Sequence, residues 1–428
     1  MLSFARLCAA AVCCIGLLFV SDGAAAQSSD TAPPAVRVRL MDDTEADRTR
    51  LRVEGGPLRL VDGESGLPLT TLEAGTEVVL GTRDREVYLR SEDGGLYARS
   101  LRIAPTQGAR WSLASATEGF RPYVGDLRVA PDSANPERLQ LINAVPLDDY
   151  VASVVASEYT LDDVEGAKAM AVVARTYALR ASDKFGADYD HVDHVLSQVY
   201  KGTSTITSEA RSAAESTRGE VLTYGGSLIE ATYFSASGGH TADNEDVWDA
   251  DEVLPYLRGK SDPYTDQSPH RRWSTTVPRP DLLDHLSDRF DRSIEGFLID
   301  ELSSDGRVST IELLTAEGDP LRMQANAFRL FINEHFPSVN LKSTWFDARR
   351  SGNQYVFDGR GYGHGVGLSQ WGAHEMASRG YSYREILTFY YTDVQIEHLE
   401  YADAPPQPPL ARQTPPRDTT KTDRRIGW

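Results

Sequence analysis

The hydrophobic pattern changes its period near residue 145, and this change constrains the fold more than any other feature of the chain. From residue 36 to about residue 129, apolar and polar residues alternate in short runs separated by Gly-Gly and Asp-Gly turns, which is typical of half-buried β-strands. Beyond Pro146, apolar residues recur at helical spacing, and strand-like segments return after residue 220. Strands followed by mixed elements predict an α+β chain with a β-rich N-terminal domain.

Two helices are predicted near residues 146–182. Pro146 and the acidic pair Asp148 and Asp149 suit a first helical turn, because proline presets φ and the helix dipole favours negative charge there. A second helix is predicted from Val164 to about Ser182, and strand-like segments are predicted at 221–224 and 228–234. The predicted organisation is a signal peptide (1–26), a β-rich accessory domain (36–130), a mixed α+β domain (131–400) and a Pro-rich disordered tail (404–428).

The first 26 residues have the features of a secretory signal peptide. Arg6 precedes an apolar run over residues 7–20, and the alanines at 24–26 match a cleavage site. We therefore expect a secreted, periplasmic or wall-associated protein, with a retained N-terminal anchor as the alternative. The three cysteines all precede residue 15, so cleavage would leave a chain without disulfides or thiol chemistry.

The charge balance excludes one class of partner. Asp and Glu number 63 against 44 Lys and Arg, which gives a formal net charge of −19. A nucleic-acid-binding protein needs a basic surface to neutralise phosphates, so we expect no nucleic acid partner.

Glu158 is the first candidate for chemistry. It follows Val151, Val154 and Val155 on one face of the first predicted helix. Partial burial and the nearby helix C-terminus both disfavour the charged carboxylate and raise its pKa, as a general acid working near neutral pH requires. The alternative is a helix-end glutamate that pairs with Arg175 or is solvated.

Three further segments carry chemically useful side chains. His191 and His194 have a spacing that suits zinc, although solvated side chains in an acidic loop are the alternative. Residues 359–372 are glycine-dense but match neither a dinucleotide nor a phosphate loop, so they approach either a ligand or another segment closely. Residues 233–240 contain two serines and a histidine without the G-x-S-x-G elbow, which favours polar substrate contacts over covalent catalysis.

Six segments, taken in order, resemble the stage II sporulation protein D (SpoIID) family, which also includes the amidase enhancers of cell-wall turnover. They are residues 145–158, 168–179, 198–202, 217–224, 233–239 and 363–373. The resemblance extends firmly over about 120–400 and loosely over 36–120.

This resemblance implies a peptidoglycan lytic transglycosylase that cuts between N-acetylmuramic acid and N-acetylglucosamine and leaves 1,6-anhydro ends. The family prefers glycan strands from which an amidase has removed the stem peptides, which implies glycan strands and an N-acetylmuramoyl-L-alanine amidase as partners. Its catalytic acid is the glutamate that closes the first segment, which is Glu158 here. The candidate substrate-binding residues are Gln198, Tyr200, Tyr233, Ser235, Ser237, His240, His364 and Gln370.

The sequence departs from the family pattern at one place. Some members carry zinc-binding cysteines just before the Gln-x-Tyr segment, and this chain has none there. We therefore expect no cofactor, with zinc held through His191 or His194 as the alternative. The rival to an enzyme is a non-catalytic amidase enhancer or glycan-binding module that presents strands to a partner hydrolase.

Overall fold

The computed structural model describes residues 34–400 apart from 43–45, 93, 107, 116–118, 181–184 and 249–251. The predicted signal peptide and the predicted Pro-rich tail lie outside the described residues.

Two β-sheets account for the first part of the described chain. Their strands alternate between buried and exposed residues, and the buried residues form one core around Leu51, Trp111 and Leu127. The strands are β1 (Ala35–Leu40), β2 (Arg48–Gly55), β3 (Leu58–Asp62), β4 (Pro68–Leu72), β5 (Glu77–Arg83), β6 (Glu86–Ser91), β7 (Gly94–Ala98), β8 (Leu101–Pro105), β9 (Arg110–Ser115), β10 (Gly119–Tyr123), β11 (Asp126–Pro131), β12 (Leu139–Pro146) and the short β13 (His191–Val192). One sheet has the order β13-β1-β12-β11-β8-β3-β4, and the other has the order β10-β9-β2-β5-β6-β7.

The seven-stranded sheet continues across the predicted domain boundary near residue 130. Strand β12 pairs antiparallel with β11 on one side and with β1 on the other. It then leads directly into the first helix, so the helix that carries Glu158 is anchored to the N-terminal sheet. The division into an accessory and a catalytic domain stays a prediction.

The predicted pair of helices is present, followed by a third. Helix α1 (Leu147–Glu158) begins after Pro146, with Asp148 and Asp149 in its first turn. Helix α2 (Val164–Leu179) is capped by Asp163, whose carboxylate accepts the Gly166 amide, and it ends three residues before the predicted end. Helix α3 (Ser208–Ser216) packs against both. One side of α2 contributes to the core of the β-sheets and the other side to a separate core formed by the C-terminal elements.

The C-terminal core combines short strands with small helices. The strands are β14 (Glu220–Tyr224), β15 (Ser227–Leu228), β16 (Tyr233–Phe234), β23 (Leu368–Ser369) and β24 (Gln395–His398), and the helices are α4 (Asn244–Trp248), α7 (Gln370–Ser378) and α8 (Tyr383–Tyr390). The single strand expected over 228–234 is thus two short strands with different partners, β14 for β15 and β23 for β16.

A third core lies between residues 273 and 359. It contains β17 (Trp273–Pro278), α5 (Arg279–Phe290), β18 (Ile294–Leu302), β19 (Val308–Thr315), β20 (Leu321–Gln324), α6 (Ala325–His335), β21 (Phe346–Ser351) and β22 (Gln354–Gly359). The sheets have the orders β17-β22-β21 and β18-β19-β20. The sequence pattern did not predict the individual helices and strands of this region.

The described part of the chain is of the α+β class, as predicted. No helix within it is long and apolar enough to cross a membrane.

Candidate active site

Glu158 closes α1 with its side chain inside the protein. Val151, Val154 and Val155 are buried on the same helix, and the Glu158 side chain is only 6% exposed. Burial raises the pKa of Glu158 to about 8, opposed in part by the hydrogen bond from the Val199 amide, by the nearby Tyr233 hydroxyl and by the charge of Lys201. The desolvation and raised pKa expected from the apolar stripe are therefore present.

The two carboxyl oxygens of Glu158 have different surroundings. Oε1 accepts a hydrogen bond of 2.8 Å from the main-chain N–H of Val199. Oε2 is buried and makes no hydrogen bond to any residue in the described part of the chain. A buried oxygen without a partner is costly when charged, which favours the protonated acid. One oxygen is thus held in place while the other is left for a ligand.

A chain of hydrogen bonds positions the Tyr233 hydroxyl beside Glu158. The Tyr150 hydroxyl donates to Gln198 Oε1 over 3.1 Å, and Gln198 Nε2 donates to the Tyr233 hydroxyl over 3.3 Å. Because that hydroxyl accepts from Gln198, its own proton remains available for donation. Tyr150, Val154 and Glu158 have i, i+4, i+8 spacing on α1, a signal that would have found Tyr150, which the sequence reasoning missed.

The glycine-rich segment reaches this site through two predicted residues, His364 and Gln370. Gln370 Nε2 donates to the main-chain carbonyl of Glu158 over 3.1 Å. His364 Nδ1 accepts the Val366 N–H, so Nε2 carries the proton and donates to the Tyr233 carbonyl over 2.9 Å. Burial and the charge of Arg329 lower the pKa of His364 to about 4, which keeps the imidazole neutral.

The glycines of residues 359–372 serve a close crossing of two backbones. Strands β16 and β23 pair in parallel, with Tyr233 opposite Leu368. Gly367 has a φ of +82°, and a Cβ on it would lie 2.1 Å from the Thr232 carbonyl oxygen. Gly363, with a φ of +106°, would similarly meet the Phe234 Cβ at 2.8 Å. The close approach to another segment that was expected as one alternative is therefore present, and that segment is the one around Tyr233.

The remaining predicted residues do not touch Glu158 in the described contacts. Tyr200 is buried, stacks on Tyr150 and donates to Asn143 Oδ1 over 2.8 Å. Ser235 is buried beside the site and its carbonyl accepts the Trp371 N–H. The carbonyls of Ser237 and His240 both accept from the Arg307 guanidinium. Contact of these four residues with substrate stays a prediction.

Trp248 is a further residue that the sequence reasoning missed. It ends α4 and is 40% exposed, with its ring centroid 5.3 Å from that of His364. An exposed indole next to the site offers a flat apolar face to a sugar ring. No motif marked it, because its position depends on where α4 packs.

The pairing of Glu158 with Arg175 that we considered is absent, because Arg175 has other partners. Its guanidinium is fully buried and donates to the carbonyls of Ala214 and Thr217, both over 2.8 Å. Asp148 lies 3.6 Å from the same guanidinium. Arg175 therefore holds α2 against the end of α3.

The histidines considered as zinc ligands have partners within the protein. His191 is buried in β13, contrary to the expected exposed loop, because β13 pairs with β1, and its Nε2 lies 3.2 Å from the Ala178 carbonyl oxygen. His194 Nε2 lies 3.4 Å from an Asp42 carboxylate oxygen. Among the described residues, no three His, Cys, Asp or Glu side chains are grouped to hold a metal ion. These histidines do not fit a shared zinc ion, and we derive no step through one.

Comparison with known proteins identifies the family. Residues 135–224 match the family described as Stage II sporulation protein, SpoIID. The chain is 30% identical to stage II sporulation protein D of Bacillus amyloliquefaciens over 278 residues, covering 60% of this chain and 76% of that protein. It is 31% identical to the Bacillus subtilis protein of the same name over 282 residues, covering 61% and 77%.

A second kind of relative shares the same region. The amidase enhancer of Bacillus subtilis is 30% identical over 273 residues, which cover 53% of this chain and 37% of that longer protein. These relatives and the matching family model define a SpoIID domain, and in this chain that domain holds a buried acid at the end of α1 between the Gln198 segment and the glycine-rich segment. The chain belongs to the SpoIID family.

Proposed function

We propose that the protein is a peptidoglycan lytic transglycosylase with Glu158 as its general acid and base. The observation that carries this proposal is the Glu158 carboxyl, buried with a pKa of about 8, one oxygen fixed by Val199 and the other without a protein partner. Such a group is protonated at neutral pH and directed to donate that proton.

One carboxyl is sufficient for this reaction. Glu158 donates its proton to the glycosidic oxygen between N-acetylmuramic acid and N-acetylglucosamine, and the bond from that oxygen to C1 of muramic acid breaks. The C6 hydroxyl of the same muramic acid then attacks C1 and gives its proton to the Glu158 carboxylate. A 1,6-anhydro end forms, no water is consumed, and the acid is restored.

The surrounding residues support this chemistry in distinct ways. Gln198 and Tyr150 fix the Tyr233 hydroxyl, which opposes further rise of the Glu158 pKa and so keeps the second, basic step accessible. Neutral His364 and Gln370 hold the two backbone segments that carry Tyr233 and Glu158. Trp248 offers a stacking face beside them.

The test is the product formed from peptide-free glycan strands. Purified protein should release fragments with 1,6-anhydro ends by mass spectrometry, and Glu158→Gln should lose about 10²- to 10⁴-fold in rate. Glu209→Gln, an exposed glutamate on α3, serves as the matched control. Reducing ends formed by hydrolysis, or equal rates for wild type and Glu158→Gln, would overturn the proposal. Stimulation of an amidase by a protein that cuts no strand would support the enhancer alternative.

A further inference from the structure

A cleft of about 830 Å³, apart from the candidate active site, lies at one end of the sheet β17-β22-β21. None of its lining residues is among the predicted site residues or contacts Glu158 in the described hydrogen bonds. One wall is apolar and comes from the end of β18, where Ile299 and Leu302 lie. The opposite wall is the sheet itself, and its register decides which side chains face the cleft.

The sheet brings two arginines and a tryptophan side by side. Its last paired row joins Trp273, Gly359 and Phe346. One position beyond that row lie Arg272, Arg360 and Trp345, which we call the basic row. The backbones remain in contact there, because the Arg360 N–H donates to the Trp345 carbonyl over 3.0 Å.

An acidic row lies on the same face. Asp347 and Asp358 are opposite each other in the register, two residues along their strands from Trp345 and Arg360. Since residues two apart in a strand share a face, the basic row and this acidic row point into the same cleft, about 7 Å apart. The face therefore offers hydrogen-bond donors at one level and acceptors at the next.

The two guanidinium groups of the basic row have no direct hydrogen-bond or ion-pair partner among the described residues. The Arg360 guanidinium carbon lies 3.5 Å from the Trp345 ring centroid, so the cation is held over the indole. Within the described residues, neither Arg272 nor Arg360 makes a side-chain hydrogen bond or an ion pair. Burial lowers the pKa of Arg360, and the charge of Arg272 lowers it further, while Asp305 and Asp347 oppose this. Asp358, by contrast, has Arg349 at 3.6 Å.

The cleft is tied to the candidate active site by the chain itself. Arg360 is four residues from His364, which limits the separation of their Cα atoms to about 14 Å. Arg307, whose guanidinium carbon lies 5.0 Å from the Trp345 ring centroid, donates to the carbonyls of Ser237 and His240. The cleft and the candidate active site are therefore close enough for one extended ligand to contact both.

We propose that this cleft binds a muramic acid residue of a glycan strand, with its free carboxylate held by Arg272 and Arg360. This inference rests on the proposed function, because it assumes the same substrate. The planar guanidinium groups match a carboxylate, and the acidic row accepts from hydroxyl and N-acetyl N–H groups of the sugar. The carboxylate is free only after an amidase has removed the stem peptide, since the peptide otherwise occupies it as an amide. The cleft thereby selects stripped strands.

The experiment measures binding in the Glu158→Gln protein, so turnover does not interfere. One probe is a short peptide-free glycan strand with free muramic acid carboxylates, and the other is a chitin oligosaccharide of equal length, which has none. Titration calorimetry should show that Arg272→Gln/Arg360→Gln weakens binding of the first probe about tenfold or more and leaves the second unchanged. Arg350→Gln, an exposed arginine of β21 outside the cleft, should change neither.

Two results would overturn the proposal: equal loss for both probes, or unchanged affinity of the double variant for the carboxylate strand. Thermal unfolding verifies the fold of each variant. Arg272→Gln alone, which removes an exposed side chain without a described contact, should give an intermediate loss for the carboxylate strand and repeats the test if the double variant misfolds. Failure of the proposed function would instead appear as absence of 1,6-anhydro ends from wild type, with the preference for the carboxylate strand retained.

Discussion

The Gln370 amide donates a hydrogen bond of 3.1 Å to the main-chain carbonyl of Glu158, across 212 positions of sequence. The last carbonyls of a helix have no partner within it, so this contact satisfies the end of α1 at the residue that carries the candidate acid. Gln370 begins α7, whose N-cap Ser369 pairs in β23 with Phe234 of β16. The glycine-rich segment thus positions Glu158 through the main-chain carbonyl of that residue, and it makes no described hydrogen bond to the Glu158 carboxyl group.

The first prediction concerns the alkaline limb of the pH–activity profile, where activity falls as pH rises. Because Glu158 must be protonated to act as an acid, kcat/KM on peptide-free strands should fall as pH rises through about 8. The Tyr233 hydroxyl and the Lys201 charge both lower this pKa, so Tyr233→Phe and Lys201→Gln should each move the limb to higher pH. Lys168→Gln removes a lysine that pairs with Glu165 and should leave the limb in place. A shift to lower pH in Tyr233→Phe would contradict this assignment.

The burial of Glu158 was predictable because it depends on local spacing. Three valines and one carboxyl on a single helical face predict desolvation whatever the helix packs against. By contrast, the Val199 amide and Tyr233 hydroxyl reach Glu158 from 41 and 75 residues away, and no periodicity encodes that meeting. The family resemblance marked these segments but not which atoms they present.

Two sequence interpretations failed for the same physical reason. Arg175 was considered as a partner for Glu158, but α3 offers buried carbonyls that the guanidinium must satisfy. His191 was placed in an exposed loop, but its two-residue strand β13 adds to the edge of the large sheet beside β1. Each outcome depends on tertiary packing, which local charge and polarity do not reveal.

The second prediction is a stability effect of Glu158 that depends on pH. The pKa of this group is about 8 when folded and near the ordinary 4.5 when unfolded, so between these values the folded state holds a proton that the unfolded state releases. The resulting stabilisation is complete below pH 4.5 and is lost as pH rises through 8. The free energy of unfolding of wild type should fall, relative to Glu158→Gln, by on the order of 4 kcal/mol between pH 5 and pH 8. Urea unfolding of both proteins across this range provides the measurement, and parallel pH profiles would refute the burial of a protonated acid.

The third prediction separates the role of Arg175 from catalysis. Arg175→Met should lower the free energy of unfolding by about 3 kcal/mol, because buried carbonyls at the end of α3 lose their donors. The alkaline limb of activity should stay where it is in wild type, since the guanidinium does not contact Glu158. Arg99→Met, at an exposed position, should change stability by no more than about 0.5 kcal/mol. A limb displaced to higher pH in Arg175→Met would restore the rejected pairing.

The fourth prediction tests whether the packing of α7 positions Gln370. A Cβ added to Gly372 would lie 1.8 Å from the Tyr390 hydroxyl oxygen, so in Gly372→Ala either the first turn of α7 or the Tyr390 side chain must shift, and we expect the turn to move. We expect a loss of about 1–3 kcal/mol in stability, together with a fall in kcat/KM as Gln370 withdraws from the Glu158 carbonyl. Gly55→Ala is the matched control, because nothing lies within 4 Å of its added Cβ.

Tyr390→Phe removes the clashing oxygen and should therefore restore part of both losses when combined with Gly372→Ala. The single Tyr390→Phe change costs about 1 kcal/mol by itself, because the hydroxyl donates to Asp262 over 3.1 Å. A double-mutant cycle on urea unfolding and on kcat/KM then isolates the coupling between the two positions. A coupling near zero in stability would show that the Tyr390 hydroxyl is not the group that opposes the added methyl group. Coupling in stability without coupling in kcat/KM would show that Gln370 does not position the acid.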